Sequence, residues 1–152
     1  MKQLVHRTAA IIATLCIGAF FISTIIAELF GNSAMVAIVK DLIVMPGLFI
    51  LLPAIAITGA TGFALAAQRK AGLIDKKKKR MPFIGANGIL ILLPAAIYLD
   101  HLASNGNFGM SFYWVQGLEL IAGGINLTLI SLNIRDGLKL SGRLRRWNQT
   151  VT

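Results

Sequence analysis

The chain holds one cysteine, Cys16, so no intramolecular disulfide can form and no CxxC metal or redox motif is present. That cysteine reads as a small apolar packing residue. Histidine is almost as scarce. His6 and His101 are the only two, and they fall at opposite ends of apolar segments, so they cannot sandwich one haem within a single copy. No HxxxH, ExxH or MxxxM spacing occurs, and neither does a GxSxG elbow, a phosphate-binding glycine loop or a dinucleotide fingerprint. The chain therefore reads as non-enzymatic. Acidic residues number 6 against 15 Lys and Arg, for a formal net charge of +9. Nucleic-acid binders spread such charge over a folded face with groove-reading or stacking elements. Here every basic residue except Lys40 falls in one of three short blocks between apolar runs, which excludes nucleic acid as a partner and marks membrane topology instead.

What the sequence has in abundance is apolar surface: 56% of residues are hydrophobic and only 14% charged, far from the balance of a soluble domain. Four apolar segments, 8–30, 42–67, 82–101 and 111–134, each reach the roughly 20 residues needed to cross hydrocarbon as a helix. The first is longer than a signal-peptide core and reads as a retained span. The connections, a turn at 31–33, a cationic loop at 68–81 and a polar loop at 103–107, favour antiparallel neighbours. These features predict an all-α fold, a four-transmembrane-helix up-and-down bundle forming a single integral membrane domain over residues 1–152. The basic blocks place the N- and C-termini and the middle loop in the cytoplasm.

The basic residues Lys76, Lys77, Lys78, Lys79 and Arg80, with Arg143, Arg145 and Arg146 of the basic cytoplasmic tail at 135–152, are expected to face the anionic cytoplasmic leaflet of the lipid bilayer. Leu140, Leu144 and Trp147 recur at helical spacing in that tail, as in an interfacial segment. Pro53 and Pro94 are expected to kink the second and third helices. Ala54, Thr58, Gly62 and Ala66 form a small-residue stripe where a neighbouring backbone can approach closely.

The fourth segment carries the chemistry. At about 100° per residue, Gln116, Glu119, Gly123, Asn126 and Asn133 share one arc of roughly 100°, a polar seam on an otherwise apolar helix. An acid at membrane depth costs roughly 2.5 to 3.5 kcal/mol on insertion scales, which makes Glu119 a site candidate in search of a partner. Each predicted span also brings an acid to its outer part or outer flank: Glu28, Asp41, Asp100 and Glu119. His101 follows Asp100, and Tyr98 lies one turn below His101 on the same face. The expected outer-half cluster holds Glu28, Lys40, Asp41, Tyr98, Asp100, His101, Gln116 and Glu119. Its ligand-binding centre is expected at Glu119, His101, Tyr98, Gln116 and Asn126, with Glu119 facing Tyr98 and His101.

A metal reading uses His101, Asp100 and Glu119, with Met35, Met45 and Met110 near the outer face as soft donors for copper. Haem held by one histidine, or by a histidine pair across a dimer, is a further alternative. No specific motif selects either cofactor. Two classes of function thus stay open: a small membrane protein whose outer-half pocket binds a ligand or ion, and a structural or accessory subunit whose seam packs on a homo-oligomeric or membrane-complex partner.

The strings KDLIVMPGLFILLPAIAITGATGFALA, from Lys40 to Ala66, and LELIAGGINLTLISLNIRDGLKL, from Leu118 to Leu140, resemble those of small four-helix bacterial inner-membrane proteins without an established function. The resemblance implies a multi-pass protein of the bacterial inner (plasma) membrane and carries over no site residues.

Overall fold

The computed structural model describes residues 1–67 and 72–140, with side chains described for 1–65 and 80–138. The elements are α1 (Lys2–Phe30), α2 (Ser33–Leu42), α3 (Phe49–Ala67), α4 (Gly72–Asn87), α5 (Leu93–Ser104) and α6 (Met110–Leu140). Wide, π-type turns at Ile43–Leu48 and Gly88–Leu92 join α2 to α3 and α4 to α5. Among the described residues there is no strand. Four helical stretches are long and apolar enough to cross a membrane: Lys2–Phe30, Ser33–Leu65, Arg80–Ser104 and Met110–Leu138.

Several boundaries differ from the sequence expectation. The second span begins at Ser33 rather than 42, because Asn32 caps it: its extended backbone lets the side-chain oxygen accept the Met35 N–H at 2.9 Å. Lys40 and Asp41 do not interrupt this helix, since Lys40 is buried and paired. The third helix starts at Gly72, so the cationic run Lys76–Arg80 is helical and the connection before it is shorter than 68–81. The fourth continues through Arg135-Asp136-Gly137 to Leu140. The predicted tail beyond 140 lies outside the described residues.

The strongest break is at neither Pro53 nor Pro94. Met45 leaves the helical region (φ −129°, ψ 111°) before Pro46, as crowding by the proline ring demands of the preceding residue. Phe20 of α1 fits against Gly47 at this break, where a Cβ would lie 2.6 Å from the Phe20 ring. Pro53 is accommodated inside α3, whereas Pro94 follows directly on the second wide turn.

The core has two apolar layers. Ala27, Val36, Leu99, Leu102, Ala103 and Phe112 close one end of the bundle. Ala13, Ile17, Leu48, Leu51 and Ala54 form the other, where the small-residue stripe of α3 meets α1. Ala54 and Gly62 of that stripe are buried, and a Cβ on Gly62 would meet Met81 and His6. The remaining apolar bulk points outward: Leu15, Leu90, Trp114 and Ile121 are each more than half exposed, the inside-out surface of a helix bundle solvated by lipid.

Candidate functional site

The polar seam of α6 is real and turned inward. Phe112, Gln116, Gly123, Asn126 and Asn133 are buried, and Glu119 is only 13% exposed. With Ile130 and Gly137 they alternate in steps of four and three, the spacing that keeps one face of a helix toward its neighbours. From Gln116 to Asp136 the seam rises about 30 Å, the full hydrocarbon thickness. Three polar contacts bridge it to the other helices, one at each level.

At the level nearest the start of α6 the partner of Glu119 is Lys40. Its Nζ lies 2.6 Å from Glu119 Oε2, and the lysine is 1% exposed. The same carboxylate oxygen accepts from Gln116 Nε2 at 3.0 Å. Glu28, half-buried near the end of α1, feels both charges, attracted by Lys40 and repelled by Glu119. Two buried oxygens here have no hydrogen-bond partner: Glu28 Oε1 and Gln116 Oε1. The Gln116 amide cannot reverse to relieve this, because its oxygen would then face a carboxylate.

The middle level is an amide pair. Asn87 Nδ2 donates to Asn126 Oδ1 and to the Ala122 carbonyl, both at 2.9 Å, and Asn126 Nδ2 reaches the Ile84 carbonyl at 3.5 Å. Such contacts hold helices together where lipid offers no alternative partner. Asn126→Leu is expected to lower stability in detergent by about 0.6–1.7 kcal/mol. A double-mutant cycle with Asn87→Leu checks it; purely additive losses would mean that the two amides do not couple.

The level nearest the end of α6 joins Arg80 Nη1 to Asp136 Oδ2 at 2.8 Å, with Arg135 Nε 3.7 Å from the other carboxylate oxygen. Asp136 is 2% exposed. Arg80 therefore faces the bundle, contrary to its expected lipid-facing role. The side chains of Lys76 to Lys79 and residues Arg143, Arg145 and Arg146 lie outside those described. His6 Nδ1 is 3.0 Å from Thr61 Oγ1, and His6 and Met81 both lie against Gly62.

Of the expected outer cluster the structure joins Lys40, Gln116 and Glu119 by hydrogen bonds, and among the described residues no other member bonds to these three. Helix α5 buries Ala95, Ala96, Leu99, Leu102 and Ala103. That face leaves Tyr98 45% exposed and His101 exposed, so among the described residues neither bonds to Glu119. Asp41 is exposed too, and among the described residues Asp100 accepts only Ser104 Oγ, at 3.4 Å. The metal set of His101, Asp100 and Glu119 is thereby taken apart by the rotation of α5. Among the described residues no three His, Cys, Asp or Glu side chains converge. Asn126 belongs to the middle level, about 10 Å of helix rise from Glu119.

The sequence places Lys40 in the expected cluster but not as the partner of Glu119, and it does not mark Asn87 as the second amide. A signal existed for the first: Lys40 is the one basic residue outside the three blocks. No protein-family model, curated protein or solved structure matches the chain.

Proposed function

We propose that this chain is a multi-pass protein of the bacterial inner membrane, both ends cytoplasmic, whose outer-half cluster of Glu28, Lys40, Gln116 and Glu119 binds a small ligand or ion. The basic blocks support the orientation. The observation that carries the binding reading is the pair of buried acceptor oxygens without a donor, on Glu28 and on Gln116. A buried oxygen left unpaired costs roughly 1–3 kcal/mol, so a cluster that keeps two beside an ion pair is shaped for something that completes it. Native mass spectrometry and elemental analysis of the purified protein test the reading, with Glu119→Gln compared at matched helicity. The expected result is a bound species retained by the wild type and lost from the variant; equal content in both would sink the site.

A second reading, an accessory subunit, is favoured by a different feature. The lipid-facing side of α6 carries a shallow apolar groove lined by Leu120, Ile121, Gly124, Ile125, Thr128 and Leu129. Gly124 and Thr128, four residues apart, would let another helix approach. Loss of assembly with intact monomers on substituting Gly124 by leucine would favour that reading over ligand binding.

A further inference from the structure

Independently of the cluster around Lys40, the level nearest the end of α6 is short of negative charge. Arg80 Nη1 and Arg135 Nε lie 2.8 and 3.7 Å from opposite oxygens of the single Asp136 carboxylate, which leaves one positive charge over among these three. A carboxylate is at most about 2.5 Å across, so the two nitrogens are no more than about 9 Å apart. Hydrogen bonds of about 2.8 Å on either side of one phosphate group cover nearly that span. The Asp136 side chain is 4% exposed and fixes Arg80, whose own side chain is 24% exposed, while that of Arg135 is 55% exposed. Among the described residues the one hydrogen bond made by either guanidinium is that of Arg80 to Asp136, and each carries several further N–H groups. Asn133 lies one turn before Asp136 on the same face of α6. It is 9% exposed, and its Oδ1 is buried without a donor.

The depth is that of lipid headgroups. The apolar stretch Met110–Leu138 is centred on Gly124, and from there to Asp136 the helix rises about 18 Å, just past half the hydrocarbon thickness. A cation would add to the excess charge. A bare anion would leave the Asn133 oxygen unpaired, and an ammonium-bearing zwitterion would set a third cation beside two arginines. A phosphodiester that carries hydroxyl groups answers both needs: its phosphate accepts from the guanidinium groups, and a hydroxyl donates to Asn133. We propose that Arg80, Arg135 and Asn133 form a site at the α4–α6 seam for a hydroxylated phosphodiester headgroup of the phosphoglycerol type, with Asp136 holding Arg80 in position.

The test titrates the full chain in detergent with three lipids, read by native mass spectrometry: phosphatidylglycerol, phosphatidylmethanol, which has the same charge but no hydroxyl, and phosphatidylcholine. Phosphatidylglycerol is expected to bind about two- to tenfold more tightly than phosphatidylmethanol, the worth of one hydrogen bond, and phosphatidylcholine most weakly. Arg135→Gln weakens both anionic lipids about fivefold, the contribution of one arginine near an anionic headgroup. Asn133→Leu abolishes the difference between the two anionic lipids and leaves phosphatidylmethanol unchanged, a pattern that general loss of structure does not produce. Asn133→Ala repeats the test should leucine not fit. Deacylated glycerophosphoglycerol that competes as strongly as the lipid would make the soluble headgroup the ligand, whereas absent competition assigns the site to the membrane lipid; either supports the proposal. Equal binding of phosphatidylglycerol and phosphatidylmethanol, or binding indifferent to Arg135→Gln, would overturn it.

Discussion

Replacing Lys40 by methionine lowers the stability of the bundle by roughly 3–5 kcal/mol, and adding Glu119→Leu recovers most of the loss. Among the described residues the single change removes the only cation within hydrogen-bond reach of Glu119, whose carboxylate lies 2.6 Å from Lys40 Nζ and is 13% exposed. Gln116 keeps its one bond to Glu119 but brings no charge, and Glu28 repels it. Glu119 must then stay ionised without a counter-charge or fold only when neutral. The double change removes both desolvation penalties and leaves two apolar side chains in an apolar bundle. Unfolding in a graded denaturing-detergent series, read as a double-mutant cycle, measures the coupling. A loss below about 1 kcal/mol for the single variant is the behaviour of a solvated pair, and it would show that water reaches Lys40 and that the cluster is not closed.

The second large effect belongs to the break in the second span. Gly47→Ala is expected to cost about 1–3 kcal/mol, the range for forcing extra volume into a packed interior. The new Cβ would lie 2.6 Å from Phe20 Cζ and 2.9 Å from the Leu42 carbonyl oxygen. The ring can swing aside, but the carbonyl belongs to the end of α2, so its shift moves the helix that carries Lys40. Gly59→Ala, one helix further on, is the control. No atom lies within 4 Å of its added Cβ, and the better helix propensity of alanine predicts no loss, or a gain of up to about 1 kcal/mol. Equal behaviour of the two variants would refute the close approach of Phe20 at the break. A loss of bound ligand in Gly47→Ala alone would tie the break to the cluster around Lys40.

Both predictions turn on Lys40, and its case shows where sequence reasoning stops. Lys40 is the single basic residue outside the three blocks, and hydropathy alone starts the second span after it, at 42. A lysine in an apolar run ordinarily marks an end of a span, because an unpaired ammonium is expensive in hydrocarbon. Here it is paired with a residue 79 positions away, and no local pattern reports so distant a partner. Pro46 carries a signal that Pro53 lacks, since glycine follows the one and alanine the other; the structure breaks there, with Met45 out of the helical region and Phe20 against Gly47.

The sequence by itself determined the four apolar spans and the polar seam of α6, because length, hydropathy and the 3.6-residue period are local properties of one helix. Tertiary structure alone decided how each helix is rotated: Lys40 and Arg80 inward, Tyr98 and His101 outward, Asn87 onto Asn126. The physical reason is the solvent. In water an apolar stripe must turn inward and so reveals the rotation of a helix, whereas in lipid the outer face is as apolar as the core. Rotation is then set by packing and by the few polar pairs, and those pairs exist only once the helices have met.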